Sequence, residues 1–439
     1  MKKKQKKNES HSAGKEGTQK KSVNLPPKEL KVPGRCPEIA VVFDLAVEPA
    51  RGILRGFMQY IRLNNPWNVN FISKTASEID PSSLKNWNGD AILAHVPDEK
   101  TFQEILSKNR PTVALAKVDR KELDNDNAEI ETKIKCKSKK SGGKTRADLV
   151  FIRCDNDAVA RMAASFFLER NFVHFAYVPY SREVCWCTER QLAFEKYLSD
   201  SGFPLYIFKA GNQEGSDWFT QRDRMRDWLL DLPKPVAVLA ANDFRGRQVL
   251  EVCQRAGIPV PYQVAVLGVD NDHPICELSY PSLSSIAVDW EKAGFMSAEA
   301  LNLLMRGEIP PTRLYGPTRI VSRNSTEHLQ ISDPLVVRIL EMIRFNKGEN
   351  LRVADILKSI HVSERSAQER FKKAMGHSIM EEIKKTRMKN VCELIEETEI
   401  PFHEISKSFG FENPNHLGQL FKKEFGMTMS EYRRRKQGS

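Results

Sequence analysis

The regular alternation of short apolar runs with helical segments constrains the fold of this chain more than any other feature. The first run, Ile39–Phe43, precedes residues 50–63, whose apolar positions recur at helical spacing. The same succession recurs as far as the run Val264–Leu267. Strands that alternate with helices form βαβ units around parallel sheets. Because residues 38–325 are too many for one ordinary sheet, we predict two α/β lobes.

The C-terminal part of the chain follows a different pattern. Strand signals stop near residue 330, and apolar positions at helical spacing then predict seven short helices between residues 334 and 436. We therefore predict a multidomain chain, with a two-lobed α/β domain over residues 36–329 and an all-α domain over residues 330–437.

Two charged segments lie outside these patterns. Residues 1–35 hold eleven Lys or Arg against three acidic residues, which predicts a disordered basic tail. The tail either adds nonspecific attraction to phosphates or only raises solubility. Residues 120–147 have almost no apolar positions and predict a solvated insertion, as a plain loop or a ligand lid. The net charge of +11 favours an anionic partner.

Several classes of protein are disfavoured by the sequence. No apolar run reaches the roughly 18 residues that cross a bilayer, and none follows the N-terminal lysines, so we expect a cytoplasmic protein with no membrane partner. A Ser/His/Asp constellation and a Gly-rich phosphate loop are both missing, which argues against an enzyme. Cys185 and Cys187 have no second Cys or His pair nearby, so we expect neither a metal nor another cofactor.

Two segments of the helical region share one arrangement of residues around a turn. Each has inward-facing apolar positions on both sides of it: Val353, Ile356, Leu357, Ile360, Ala367, Phe371 and Met375 in the first segment, and Ile405, Phe409, Leu417, Leu420, Phe421 and Phe425 in the second. Gly410 suits the left-handed conformation that such a turn requires. Both segments predict helix-turn-helix units, and residues 378–397 predict one long helix between them.

Matching Phe-Lys-Lys triplets at 371–373 and 421–423 strengthen this prediction. With the run from Phe409-Gly-Phe411 to Tyr432-Arg433, they make residues 330–437 resemble the AraC family of regulators. The resemblance places base-facing side chains on the two recognition helices, at Arg365, Gln368 and Glu369 in the first and at Asn415, His416 and Gln419 in the second. Arg pairs with guanine, and Asn or Gln pairs with adenine.

Some positions depart from the family pattern or have a second interpretation. Glu369 stands where a cationic or amide side chain is frequent, so it either accepts from cytosine or faces water. Pro414 and Gly418 occupy positions that often make polar contacts, which predicts that the second helix reads fewer bases. The remaining cationic side chains are expected to contact phosphates or to be solvated surface charges: Lys372, Lys373, Lys422, Lys423 and Arg433 to Arg435.

The α/β region also carries a resemblance, through short motifs in a fixed order. They are Val150–Asn156, Phe175–Val178, Thr188–Arg190, Ala240–Asp243, Leu267–Asn271 and Pro281–Ile286. This order resembles the lac-repressor core, which is itself similar to periplasmic sugar-binding proteins. With the runs Arg247–Cys253 and Ile258–Pro261, the combination of both domains resembles the xylose-operon regulators of the AraC family.

The second resemblance implies a sugar site at the carboxyl ends of the strands. Its implied residues are Asp44 and Arg51 from the first lobe, Asp155 near the crossing, Arg190, Asn242, Asp243 and Asp270 from the second lobe, and Trp186 and Trp218 as stacking platforms. Each has an alternative interpretation: Asp155, Asp243 and Asp270 also suit helix N-caps, and either Trp also suits the core.

Two functions follow from these observations. The first is a sugar-responsive transcription regulator, by family analogy an activator, whose lobes close on a monosaccharide such as xylose and so reposition the helix-turn-helix units. Its expected partners are double-stranded promoter DNA, RNA polymerase and a second copy of the chain. The alternative is a carbohydrate-binding protein or sugar-processing enzyme whose helical tail does not read DNA.

Overall fold

The computed structural model describes residues 35–64, 66–72, 81–95, 104–105, 107–115, 149–180, 184–209, 218–308, 310–311, 313–327, 333–346, 351–411 and 413–437. The predicted insertion 120–147 and, apart from Arg35, the predicted basic tail 1–35 lie outside these residues. The chain divides after Cys36, and the unit described below begins at Pro37.

Strands and helices alternate through most of this unit. In chain order the elements are β1 (Glu38–Val42), α1 (Glu48–Leu63), β2 (Asn68–Phe71), a 3₁₀ turn (Pro81–Leu84), β3 (Ala91–His95), β4 (Thr112–Leu115), β5 (Leu149–Cys154), α2 (Asn156–Leu168), β6 (Phe175–Val178), α3 (Cys185–Asp200), β7 (Leu205–Ile207), α4 (Trp218–Asp231), β8 (Val236–Ala240), α5 (Asp243–Ala256), β9 (Val264–Asp270), α6 (His273–Leu278), β10 (Ser284–Val288), α7 (Trp290–Met305), β11 (Leu314–Tyr315), β12 (Pro317–Val321), α8 (Pro334–Phe345), α9 (Val353–Ile360), α10 (Glu364–Met375), α11 (Ile379–Glu397), α12 (Phe402–Ser408), α13 (Pro414–Phe425) and α14 (Met429–Gln437).

The α/β region consists of two separate sheets, as predicted. The first has the order β2-β1-β3-β4-β5-β11 with parallel pairing throughout, and the second has the order β7-β6-β8-β9-β10-β12. In the second sheet β12 runs antiparallel to β10, which the sequence analysis did not anticipate. Strands β3, β4 and β8 are buried almost throughout, which explains their continuous apolar runs.

The chain passes between the two lobes at three places. It leaves the first lobe after β5, returns to it from β10 into α7, and leaves it again between β11 and β12. Backbone hydrogen bonds join these crossings: the Asp155 amide donates to the Tyr315 carbonyl at 2.7 Å, and the Asp289 amide donates to the Gly316 carbonyl at 3.0 Å. The crossings therefore form one hydrogen-bonded hinge.

The helical region contains two apolar cores. Residues of α8, α9 and α10 surround Phe371, while residues of α12, α13 and α14 surround Phe421. Helix α11 contributes Ile379 and Ile383 to the first core and Val391 and Ile395 to the second. The seven predicted helices are present within two residues of their expected bounds, and α11 is the predicted connecting helix.

The turn of each helix-turn-helix unit contains a left-handed residue. Gly410 has φ 69° in the second unit, as predicted, and His361 has φ 52° in the first. Left-handed backbone is disfavoured for residues that carry a Cβ, so His361 costs conformational energy that Gly410 does not. In the described part of the chain, no helix is both long and apolar enough to cross a membrane.

Candidate functional site

Arg190 lies at the centre of a group of polar side chains between the two lobes. Helix α3 buries its side chain, whose Nη1 donates to the Ala241 carbonyl and whose Nη2 donates to Asn156 Oδ1 at 3.0 Å. Its guanidinium carbon lies 5.1 Å from the centre of the Trp186 ring. The buried Nε has no hydrogen-bond partner in the described part of the chain. Arg190 is therefore held by both terminal nitrogens, while its Nε is unpaired among the described residues.

A second set of polar residues holds Arg190 in place. Glu189 accepts from Arg153 and, at 2.9 Å, from Asn156 Nδ2, so Asn156 is fixed between Glu189 and Arg190. Because its amide nitrogen is engaged by Glu189, its oxygen must face the guanidinium. Arg153, Asn156 and Glu189 were not predicted as supporting residues, although all three belong to the sequence motifs Val150–Asn156 and Thr188–Arg190.

Two acidic residues, Asp243 and Asp270, approach this centre from the carboxyl edge of the second sheet. Asp243 is buried and accepts from Ser285 Oγ at 2.5 Å and from the Asp272 amide at 2.6 Å. Burial raises the pKa of Asp243 to about 7. Burial also raises the pKa of Asp270 well above its usual range; the charge of Asp243 adds to this effect and Arg190 opposes it.

The Asp270 carboxylate is the open acceptor of the group. No hydrogen bond to it is found among the described residues, although Arg190 is within electrostatic reach. Its backbone has φ 111°, which is unusual for a residue with a Cβ and fixes the direction of the side chain. A strained residue with an unpaired carboxylate beside a buried arginine is typical of a ligand-binding position.

Some of the predicted residues are helix caps. Asp155 caps α2 by accepting from the Ala158 amide at 2.8 Å, and Asn242 caps α5 by accepting from the Arg245 amide at 3.0 Å. The capping interpretation is therefore right for Asp155 and wrong for Asp243 and Asp270, since the caps beside those two are Asn242 and Asp272. One oxygen of Asp155 and of Asn242 is thus already engaged.

The first lobe contributes Asp44 and Arg51 after β1. Asp44 Oδ1 accepts from the Ala46 amide at 2.9 Å, and its charge reaches His95, whose pKa is lowered by burial. Arg51 donates to the Ala46 carbonyl at 2.7 Å, and its Nη2 lies 3.6 Å from Asp272 Oδ2 of the second lobe. The Arg51–Asp272 ion pair therefore joins the first helix, α1, to the loop that follows β9.

Trp186 and Trp218, the two predicted stacking platforms, lie in different surroundings. Trp186 lies against Tyr180, with ring centroids 5.7 Å apart, and beneath the Arg190 guanidinium. Trp218 instead packs against the core beneath α4 and α5, which is the alternative that the sequence left open. No ring contact or hydrogen bond joins Trp218 to Arg190 or Asp270 within the residues that the structure describes.

Two aromatic residues near the hinge were missed. The rings of Trp290 and Tyr315 lie 5.3 Å apart, and the buried Trp290 Nε1 has no hydrogen-bond partner in the described part of the chain. Burial raises the pKa of Tyr315, Cys154 and Asp270 add to that rise, and Arg190 opposes it, so Tyr315 belongs to the same group. Trp290 follows β10 and Tyr315 ends β11, so both residues lie at chain crossings.

A cavity of about 540 Å³ opens beside the hinge. Asp155, Arg161, Lys292 and Tyr315 are among its lining residues. Asp155 is the predicted ligand residue that lines it, whereas Arg190 and Asp270 do not. The cavity therefore adjoins the group around Arg190 through Tyr315 without reaching Arg190 or Asp270.

The second candidate surface is formed by α10 and α13. The predicted side chains lie on their solvent side: Arg365, Glu369, Lys372 and Lys373 are exposed on α10, and Asn415, His416, Gln419, Lys422 and Lys423 are exposed on α13. Gln368 is half-buried. Both helices have side-chain caps, from Ser363 and Asn413. Because Phe371 and Phe421 anchor the opposite faces, the polar faces are free for a partner.

Two charged side chains of this domain, Glu369 and Arg433, make contacts that were not predicted. Glu369 Oε1 accepts from Arg365 Nε at 3.1 Å, so it faces a neighbouring side chain one turn away. Arg433 donates to the Ile400 carbonyl at 2.7 Å and lies 4.3 Å over the Phe402 ring, so it holds α14 against α12. The prediction that Arg433 contacts phosphate is wrong for this reason, while Arg434 and Arg435 are exposed.

Known proteins share both parts of this architecture. A family model for a periplasmic binding protein-like domain matches residues 164–326, and one for a helix-turn-helix domain matches residues 356–435. The xylose operon regulatory protein of Haemophilus influenzae is 26% identical over 405 residues, which cover 90% of this chain and 98% of that protein. Its counterpart in Escherichia coli K12 is also 26% identical, with 90% and 96% covered.

A solved structure supports the same relationship. The structure of the xylose-binding transcription activator xylR has a TM-score of 0.77 at 24% identity, covering 91% of this chain and 98% of that one. This likeness establishes a shared fold. The relatives are described as regulators and not as enzymes. The chain is therefore homologous to the xylose operon regulators and joins a periplasmic-binding-protein-like domain to an AraC-type helix-turn-helix domain.

Proposed function

We propose that this protein is a sugar-responsive, sequence-specific DNA-binding transcription regulator that acts as an activator. The observation that carries the proposal is the pair of recognition helices, α10 and α13, with their polar faces exposed and their apolar faces fixed to one connecting helix. Such helices fit the major groove, and their exposed Arg, Asn and Gln side chains suit base edges.

The group around Arg190 supports a sugar as the effector. Arg190 Nε and Trp290 Nε1 are unpaired donors, Asp270 is an open acceptor, and Trp186 offers a ring face. A sugar hydroxyl both donates and accepts, and the apolar face of a sugar stacks on aromatic rings. Buried groups left without partners favour a ligand that pairs with them.

The charges near the cleft favour a neutral sugar over a phosphorylated one. Arg153 is paired with Glu189, and Arg51 reaches Asp272, while Arg190 faces Asp270. Each guanidinium of this group thus has a carboxylate nearby, which disfavours a further anion. The names of the homologues point to xylose, which fits as a neutral pentose.

We infer a regulatory cycle from the hinge and from the Arg51–Asp272 ion pair. A sugar that contacts both lobes stabilises the closed arrangement and shifts the population toward it. Closure changes the position of the helical domain on cytoplasmic promoter DNA, where the protein acts as a homodimer and contacts RNA polymerase. In this proposal, the domains keep the limits 36–329 and 330–437.

Thermal unfolding of the full-length protein with a panel of neutral monosaccharides and their phosphates tests the effector. We expect D-xylose or another neutral sugar to raise the melting temperature, because a ligand that binds only the folded state stabilises it. Sugar phosphates should have no effect. A panel in which no neutral sugar raises the melting temperature would remove the sugar from the proposal, and binding of the phosphates alone would reverse the charge argument.

A further inference from the structure

Arg323 follows β12 and is bonded to the segment that carries the open acceptor of the cleft. Only a tenth of its side chain is exposed. Its Nη1 donates to Asn271 Oδ1 at 3.0 Å and to the Leu283 carbonyl at 3.1 Å, and its Nε is paired with Glu277 of α6. One side chain thus holds both the end of β9 and the helix that follows it.

The other end of this arrangement is a tightly fixed backbone. Asp270 and Asn271 both have positive φ, 111° and 54°. The Asn271 amide donates to Ser285 Oγ at 3.0 Å, and the next residue, Asp272, faces Arg51 of the other lobe. Because rotation about these bonds is restricted, a shift of Asp270 or Asp272 moves Asn271 as well. Arg323 is bonded directly to that residue.

Immediately after Arg323 the chain contacts the helical domain. Asn324 Oδ1 and Glu327 Oε2 both accept from Lys389 Nζ, at 3.0 Å and 2.7 Å. Lys389 lies in the middle of α11, between Ile383 in the first helical core and Val391 in the second. Only a few covalent bonds and hydrogen bonds therefore separate the cleft from α11, the helix that connects the two recognition helices.

Other contacts fasten the same two domains without reaching the cleft. Tyr280 meets Phe345 edge to face at 5.9 Å, and Arg344 lies 5.0 Å over the Tyr262 ring. These contacts attach α8 to the second lobe. Because α8 is attached to the second lobe at this junction, a displacement of α11 has a defined direction relative to that lobe.

We propose that Arg323 is the positioning residue that couples effector binding at Asp270–Asp272 to the orientation of α11 through Asn324, Glu327 and Lys389. The proposal rests on the proposed function and adds the route by which the effector acts. Coupling between two sites requires an element whose arrangement both sites bias, and α11 is that element. Among the described residues, the Arg323 side chain bonds to Asn271, Leu283 and Glu277 and to none of the predicted sugar-binding side chains.

The test uses three single variants of the full-length protein together with the double variant that combines Arg323→Ala and Lys389→Ala. Arg323→Ala removes the link on the sensor side, and Lys389→Ala removes it on the helical side. Arg319→Ala is the matched control, because Arg319 is exposed on β12, the strand that precedes Arg323, and its loss changes the charge equally. For each protein, affinity for selected duplex DNA is measured by fluorescence anisotropy with and without D-xylose, and D-xylose affinity is measured by calorimetry.

Arg323→Ala and Lys389→Ala should bind D-xylose within about three-fold of wild type, whereas the effect of D-xylose on DNA affinity should fall from a typical factor of about 5–150 to about 1. The double variant should lose no more than either single variant, since both break one route. Arg319→Ala should behave as wild type. Full coupling in both variants, or equal loss in Arg319→Ala, would overturn the proposal.

A second measurement is independent of the effector. Amide hydrogen exchange is followed in the ligand-free proteins. Lys389→Ala should accelerate exchange at residues 270–278, which it does not contact directly, and Arg323→Ala should accelerate exchange in α11 around Lys389. Unchanged exchange in both places contradicts the route. If D-xylose does not bind wild-type protein, the proposed effector fails while this measurement still decides the coupling.

Discussion

Asp243 places a carboxyl group in the interior of the second lobe, where burial raises its pKa to about 7. Its ordinary pKa is 3.8, so between these two values the folded chain retains a proton that the unfolded chain has lost. Stability falls with rising pH wherever the folded state binds more protons. The contribution of Asp243 is therefore greatest in acid and is lost as pH rises through about 7. Asp270, whose pKa is also raised, acts in the same direction.

Asp243→Asn should flatten this pH dependence. The amide oxygen accepts from the Asp272 amide and the amide nitrogen donates to Ser285 Oγ, so both contacts survive without an ionisable group. Melting temperatures measured from about pH 5 to about pH 8 should decline less in the variant than in wild type. Asp200→Asn, at an exposed position of α3, is the control. An identical decline in wild type and Asp243→Asn contradicts the assignment.

The open carboxylate of Asp270 gives a prediction about the effector. Asp270→Asn keeps the shape of the side chain but replaces one acceptor oxygen by an NH₂ donor, and leaving a buried hydrogen-bonding group of the ligand unpaired costs about 1–3 kcal/mol. We expect the dissociation constant for D-xylose to rise by roughly ten-fold or more, measured by calorimetry. Asp200→Asn should leave it unchanged. Wild-type affinity in Asp270→Asn would show that the sugar does not contact this side chain.

Arg365 gives a prediction about base reading, because Glu369 engages its Nε and leaves both terminal nitrogens free. Those two nitrogens suit a guanine edge. Arg365→Ala should lose about 1–3 kcal/mol of discrimination at one base pair. Lys372→Ala, expected to contact phosphate, should weaken all sequences about equally. Competition binding with single-base operator variants separates the two effects, and uniform weakening by Arg365→Ala would assign it to phosphate instead.

At the scale of elements, Gly410 decides the geometry of the second helix-turn-helix turn. Its φ of 69° is disfavoured for a side chain, so Gly410→Ala should destabilise the unit locally by about 1–2 kcal/mol. A Cβ on Gly418 in α13 would lie in ordinary van der Waals contact, 3.9 Å from Met429 Cε, and the backbone there is helical, so Gly418→Ala should be neutral or stabilising by up to about 1 kcal/mol. Amide exchange in α12 and α13 measures both changes. Equal effects of the two substitutions contradict the assigned turn.

Most elements of the fold could be predicted because each carries a local signal, whereas the strands β2, β11 and β12 were not predicted. Hydrophobic periodicity predicts the seven C-terminal helices and the buried strands, and Gly410 predicts the turn of the second helix-turn-helix unit. The cleft was predicted less completely. Trp290 and Tyr315 come together at chain crossings, and the roles of Asn242 and Asp155 depend on whether an oxygen is already engaged by a helix end. Such contacts depend on which residues meet in three dimensions, and hydrophobic periodicity does not predict that.

At the scale of the whole molecule, the positions of the basic residues indicate the DNA-reading surface better than the net charge does. The chain carries +11, yet eleven of its basic residues lie in residues 1–35. The DNA-reading surface depends instead on side chains that two helices hold at fixed positions, with Arg433 engaged inside the fold. Binding that depends only on charge would weaken with salt without selecting a sequence.

The most direct test of the account is selection of binding sites by the full-length protein from a pool of random DNA duplexes, followed by sequencing. The account predicts a motif with two conserved blocks roughly 10 base pairs apart, one for each recognition helix. Arg365→Ala should relax only the first block, and Asn415→Ala only the second. Failure to enrich any motif, or a motif that both substitutions leave unchanged, would contradict the assignment of α10 and α13 as the DNA-reading helices.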